Sequence, residues 1–103
     1  LSNLGEISRA DAVLHATKIG MNPADATFID DKYLNPGQVV FDFVYSRDVV
    51  HTDLIEKARQ KRARIVEGTE MFFWQGIAQF ELFTGFKAPI ADMKKVLPAH
   101  AQW

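Results

Sequence analysis

Residues 38–45, Gln38-Val39-Val40-Phe41-Asp42-Phe43-Val44-Tyr45, constrain the fold of this chain more than any other stretch. They are β-branched and aromatic and, Asp42 apart, apolar on both faces of an extended strand. Such a strand needs cover on both sides, which is the condition of a central strand in a parallel sheet between helices. The neighbouring pattern agrees. Residues 12–16 read as a short buried strand, 17–23 as a loop marked by Gly20 and Asn22-Pro23, and 35–37 (Asn-Pro-Gly) as a turn. Between them, residues 24–34 are mixed, with one helical turn near 30–34. After a polar loop, Thr52 is placed to cap a helix with Asp53 in its first turn and Leu54, Ile55 and Ala58 as its apolar stripe. Arg64-Ile65-Val66 is a further strand, closed by Gly68. Leu1, Leu4 and Ile7 suggest the tail of a helix before the first strand. A last helix is expected over residues 89–98, with 100–103 fraying.

The longest element expected is a helix over residues 67–85, ending at a left-handed Gly85. Its apolar residues lie on nearly every side, so it should be buried or sandwiched. Gln75 sits inside it. Two readings stand for that amide: it bonds a neighbouring backbone group, or it faces a cleft and binds a hydroxylated ligand. Strands alternating with helices make the fold class α/β, and ligands of such sheets sit at the carboxyl ends of the strands. Those ends are Thr17-Lys18, Tyr45-Ser46 and Gly68.

With 103 residues the chain is one domain at most, and its net charge of −1 provides no basic excess to neutralise phosphates, so no nucleic-acid partner is expected. The absence of cysteine excludes disulfides and thiolate metal sites and permits a reducing compartment; a cytoplasmic protein is expected. No apolar run approaches the roughly 18 residues of a membrane span, so no membrane partner is expected. His15, His51 and His100 are scattered without a second ligand at metal spacing, and no metal is expected. Arg59, Lys61, Arg62 and Arg64 read as a solvated helix face, since Glu56 interleaves with them. Asp42, in an apolar strand, must find donors; loop amides are the candidates. The glycine fingerprint of dinucleotide-binding turns is missing, so that turn is expected upstream of Leu1 and the chain is read as part of a longer protein.

Three segments in order carry a family resemblance. His15-Ala16-Thr17-Lys18-Ile19-Gly20-Met21 resembles the Asn-Ala-Thr-x-x-Gly-Met segment of shikimate dehydrogenases. Phe41 to Tyr45 resembles their Asp-x-x-Tyr strand, and Glu67 to Gly76 their Asp-Gly-x-x-Met-Leu-x-x-Gln-Gly segment. Thr84-Gly85 and Pro89 fall where that family has matching residues. Thr17-Lys18 and Trp74-Gln75-Gly76 look closer to its quinate/shikimate branch. The resemblance implies the second half of a Rossmann-type parallel sheet domain with C-terminal helices: residues 1–85 the C-terminal part of an NAD(P)-binding domain, 86–103 a C-terminal helix and tail. It implies hydride transfer between NAD or NADP and the shikimate or quinate pair. It places Gln75 and Tyr45 at the substrate and Thr17, Lys18, Phe43, Val44, Ser46, Gly68 and Met71 at the cofactor. The family's catalytic lysine and aspartate belong to an N-terminal substrate domain, which is the implied missing partner; no catalytic residue is implied here, and the chain alone is expected to be inactive. Three positions depart from the pattern. His15 replaces an asparagine, Phe83 replaces a tryptophan, and Arg62 stands where many members have a glycine ending the helix, so that helix should end without an easy left-handed cap. A non-catalytic shikimate- or quinate-sensing domain of the same fold is the alternative reading, and homo-oligomerisation stays open.

Overall fold

The computed structural model describes residues 3–46 and 48–99; the fraying expected at 100–103 lies outside the described residues. Three strands, β1 (Ala12–His15), β2 (Val39–Asp42) and β3 (Arg64–Glu67), form a parallel sheet in the order β1-β2-β3. The helices are α1 (Asp53–Gln60), α2 (Gly68–Thr84) and α3 (Ile90–Lys95). The expected α/β class and the central place of β2 both hold.

Register sets which residues share a face. Val13 pairs with Val40 and Val40 with Ile65, and this row packs against Leu54 and Ala58 of α1, with Ile29 and Leu34 closing the core. Two residues further along each strand, on the same face, His15, Asp42 and Glu67 pair across the carboxyl edge. The opposite face carries Leu14, Phe41 and Val66, and Leu14 on the outer strand is 65% exposed. β1 is thus buried on alternate residues, not throughout, because α1 covers the Val13 face and nothing among the described residues covers the Leu14 side chain on the other.

The expected strand 38–45 stops at Asp42. Beyond that point the carboxylate of Asp42 takes the Val44 N–H at 3.0 Å, and a residue bonded to its own side-chain neighbour leaves the ladder. The first ten residues give a 3-10 helix at Leu4–Arg9, and the turn near 30–34 is a 3-10 helix at Asp31–Tyr33. The last helix is six residues long, not ten, since the backbone turns at Val96 ahead of Pro98.

α1 begins as expected. Thr52 Oγ1 accepts the Ile55 N–H at 3.3 Å. Asp53 in the first turn accepts the Thr27 N–H at 2.8 Å, and that bond is the main cause holding its carboxyl below the ordinary 3.8; Lys57 acts in the same direction, against desolvation. A depressed folded-state value stabilises the fold fully above the unfolded value and is lost as pH falls through the folded one. The destabilisation caused by Asp53→Ala is therefore expected at neutral pH and should shrink as pH falls below about 4; urea unfolding of both proteins across pH 3–7 checks it.

α1 ends on a left-handed residue that is not glycine, so its cap is a costly one, as expected. Arg62 adopts φ 61°, and Ala63 N–H reaches Ala58 C=O at 3.0 Å, so a left-handed cap forms on arginine itself. A side chain in that conformation costs about 1–2 kcal/mol, and glycine returns part of the gain as chain entropy. Arg62→Gly is expected to stabilise the protein by roughly 0.5–1 kcal/mol, read as a higher urea midpoint with unchanged slope.

α2 ends at a left-handed Gly85, as expected, but buries only Gly68, Phe73 and Ile77. Phe72, Trp74, Leu82 and Phe83 stay exposed. The expectation of burial on every side does not hold within these residues, because the sheet covers one side of the helix only. No helix among the described residues is long and apolar enough to cross a membrane.

Candidate functional site

The carboxyl edge of the sheet is built on a buried polar row. His15 and Asp42 are 4% and 1% exposed. Asp42 Oδ1 accepts the Val44 N–H and lies 3.0 Å from His15 Nδ1; Oδ2 accepts the Thr52 hydroxyl at 2.6 Å. Thr52 is also the N-cap of α1, so the carboxylate sits at the positive end of that helix. The expectation that Asp42 finds loop amides is met by Val44 alone; the other two donors come from distant side chains. Among the described residues no buried side-chain nitrogen or oxygen lacks a partner. Beside this row, Glu67 holds His51 Nδ1 at 2.9 Å and Arg59 at 3.7 Å, which ties the loop before α1 to the end of β3. The carboxylate that His51 meets is Glu67, sixteen positions away in the chain. Among the described residues no three His, Cys, Asp or Glu side chains gather to hold a metal.

The loops leaving this edge carry the expected site residues. Thr17 is exposed, with its hydroxyl 2.5 Å from His15 Nε2, and Lys18 beside it is exposed. His15, the departure from the family pattern, is thus what fixes the first loop's hydrogen bonding. Phe43 donates its N–H to His15 C=O at 2.9 Å, is 36% exposed, and packs its ring at 4.4 Å from that of Phe41. Ser46 is half-buried, with its hydroxyl accepting the Asp48 N–H.

Gly68 is fixed by sterics. A Cβ there would lie 2.2 Å from the Val44 carbonyl oxygen and 2.7 Å from that of Phe43. Two backbones meet at this point, and only glycine lets them. The contact that demands glycine is thus with the chain's own loop. The same contact holds the Phe43–Val44 segment against the first turn of α2, where Met71 is half-buried.

The substrate candidates lie one turn further. Tyr45 stacks on Phe72 with ring centroids 4.5 Å apart and planes 7° from parallel. These two rings, with Val96, Leu97 and Pro98, line an open cavity of about 550 Å³. Gln75 donates Nε2–H to the Phe72 carbonyl at 3.1 Å. It is half-exposed, where a buried amide was expected, because α2 has no cover on that side among the described residues. The bond to a neighbouring backbone group forms, and it uses one of the two N–H groups of the amide. The structure thus brings Thr17, Phe43–Ser46 and Gly68–Met71 to one edge, and Tyr45 and Gln75 to one turn of α2. Thr52, His51 and Glu67 escaped the sequence reading as site residues. The signal for Glu67 was its place at the end of a strand beside Gly68.

The fold and the site have counterparts. Residues 68–97 match the Shikimate 5'-dehydrogenase C-terminal domain family. A shikimate dehydrogenase (NADP(+)) of Moorella thermoacetica is 39% identical over 93 residues, 89% of this chain and 31% of that protein. The structure of shikimate 5-dehydrogenase from Listeria monocytogenes, in complex with shikimate and NAD, superposes with a TM-score of 0.79 at 29% identity, over 94% of this chain and 34% of that one. Quinate dehydrogenase from Corynebacterium glutamicum, in complex with NAD, gives 0.80 at 29% identity, over 91% of this chain and 33% of that one. The chain spans about a third of the length of the curated relatives it matches. It therefore matches the C-terminal portion of the shikimate dehydrogenase family, in sequence and in fold.

Proposed function

We propose that this chain is the C-terminal part of an NAD(P)-dependent shikimate or quinate dehydrogenase. The observation that carries the reading is the gathering of Thr17, Phe43 to Ser46 and Gly68 to Met71 at the carboxyl edge of a parallel sheet, with Tyr45 and Gln75 one helical turn on. Half-exposed Phe43 and half-buried Val44 and Met71 offer apolar contact to a flat ring, and Thr17 and Lys18 offer polar contact to the dinucleotide. That donor set fits the nicotinamide end of such a cofactor. When bound, the cofactor supplies or takes the hydride. This chain's residues then have three tasks. The Phe43–Val44 segment, clamped by Gly68, forms a rigid wall for the ring. Met71 and Phe43 exclude water from it. Gln75 orients the substrate through its free amide oxygen and N–H, with Tyr45 beside it. The acid–base pair is proposed to lie in a substrate domain packed on the exposed face of α2.

The names of the curated sequence relatives favour NADP and shikimate, while the two structural relatives above are in complex with NAD and one is a quinate dehydrogenase. A spectrophotometric assay of the full-length protein with both cofactors and both substrates tests this. Cofactor reduction with shikimate or quinate supports the dehydrogenase. Saturable ligand binding without turnover supports the sensing domain instead. The 103-residue chain alone is expected to give no turnover.

A further inference from the structure

The polar row at the sheet edge continues to the surface, and its donor count determines what it presents there. Asp42 is engaged as an acceptor at both oxygens, by the Val44 N–H and the Thr52 hydroxyl. His15 Nδ1, 3.0 Å from Oδ1, is therefore the donor of its pair. A neutral imidazole with its proton on Nδ1 has only a lone pair on Nε2. Thr17 Oγ1 lies 2.5 Å from that nitrogen, and beside such a ring the Thr17 hydroxyl gives its single proton inward. The same oxygen accepts the Ile19 N–H at 3.2 Å. What the exposed Thr17 has left to offer is one lone pair. His15 is 4% exposed and its ring lies against Phe28, with centroids 5.6 Å apart.

We propose that His15 is a positioning residue that holds the Thr17 hydroxyl as a hydrogen-bond acceptor, so that the ligand group met there is a neutral donor, a hydroxyl or an amide N–H, and not a phosphate oxygen. A phosphate oxygen can only accept, and a hydroxyl whose proton is already spent repels it. Exposed Lys18 is then the residue of this loop suited to phosphate charge. The proposal rests on the dehydrogenase reading, which puts Thr17 beside the dinucleotide. Two groups of that ligand carry the required chemistry, the nicotinamide carboxamide and the ribose hydroxyls.

The first test is spectroscopic and needs no substitution. In the full-length protein with 15N-labelled histidine, the His15 ring should show a protonated Nδ1 and an unprotonated Nε2. The opposite tautomer, or a ring protonated at both nitrogens, would overturn the proposal. The second test is binding of NADP and NAD, followed by calorimetry. Thr17→Val should weaken binding about 5–10-fold, the range of one lost neutral hydrogen bond, while Thr17→Ser stays within about 2-fold. His15→Phe should weaken binding by the same factor as Thr17→Val, and the double variant by no more than either, because both remove one contact. A dinucleotide with acetyl in place of the carboxamide separates the two donors. If its affinity ignores Thr17→Val the donor is the amide, and if it falls like NADP the donor is a ribose hydroxyl; both support the proposal. Weaker binding of inorganic pyrophosphate to Thr17→Val would overturn it, as would native affinity in that variant. Should His15→Phe not fold, the tautomer and the Thr17 pair still decide. If the unsubstituted full-length protein binds neither dinucleotide, the dehydrogenase reading fails, which is a separate outcome.

Discussion

Asp42→Ala is expected to destabilise the protein by about 3–5 kcal/mol, the range for removing one partner from a buried hydrogen-bonded charge network. The substitution strands three donors at once: the Val44 N–H, His15 Nδ1–H and the Thr52 hydroxyl. Each sits where water has little access, and a buried donor left alone costs about 1–3 kcal/mol. It also releases the start of the loop that carries Tyr45, so ligand binding should fall with stability. Asp42→Asn separates hydrogen bonding from charge. Its one oxygen can keep Val44 and His15 while its amide donates to Thr52, whose hydroxyl can accept. That variant should cost only about 1 kcal/mol. Urea unfolding of the two proteins checks the pair; equal losses would show that charge at the α1 N-terminus outweighs the bonds.

Gly68→Ala should cost about 3 kcal/mol or more, at or above the upper end for overpacking a tight site. The obstacle to the new methyl is the Val44 carbonyl oxygen at 2.2 Å, and Phe43 adds a second at 2.7 Å. Both belong to backbone, so no rotamer change relieves the clash. Either the start of α2 moves away from the 43–46 loop or the loop is displaced, and the loop, which lies outside the sheet ladder, should yield first. Cofactor affinity is then expected to fall with stability, although Gly68 offers no side chain to the ligand. An alanine variant with native stability and affinity would show that the two backbones separate freely. By contrast, Gly76 meets nothing within 4 Å of an added Cβ, and Gly76→Ala serves as the control.

The layout of this region was largely legible in the sequence. An eight-residue stretch apolar on both faces identified the central strand, and the α/β rule pointed to the strand ends, where Thr17, Tyr45-Ser46 and Gly68 stand. What stayed hidden depended on contacts between distant residues. Asp42 visibly needed donors, but two of them lie 27 and 10 positions away, at His15 and Thr52. Thr52 was legible as a helix cap, and its second bond was not. The strand's end was illegible because Phe43, Val44 and Tyr45 keep a strand composition; a side-chain bond from Asp42 to Val44 stops the ladder there. Arginine itself gives no sign of the left-handed conformation at Arg62; the family's glycine at that position did mark the end of the helix. The all-round apolarity of α2 pointed to burial on every side, while among the described residues the sheet covers one side only.

That uncovered side bears on the central claim, that α2 presents Gln75 to the substrate while its first turn serves the cofactor. Gln75→Ala in the full-length protein tests it most directly. The account predicts a rise in KM for shikimate or quinate equivalent to about 1–3 kcal/mol, the range for a lost polar contact, with KM for the dinucleotide unchanged. An unchanged substrate KM in steady-state kinetics, with the protein folded, would contradict it.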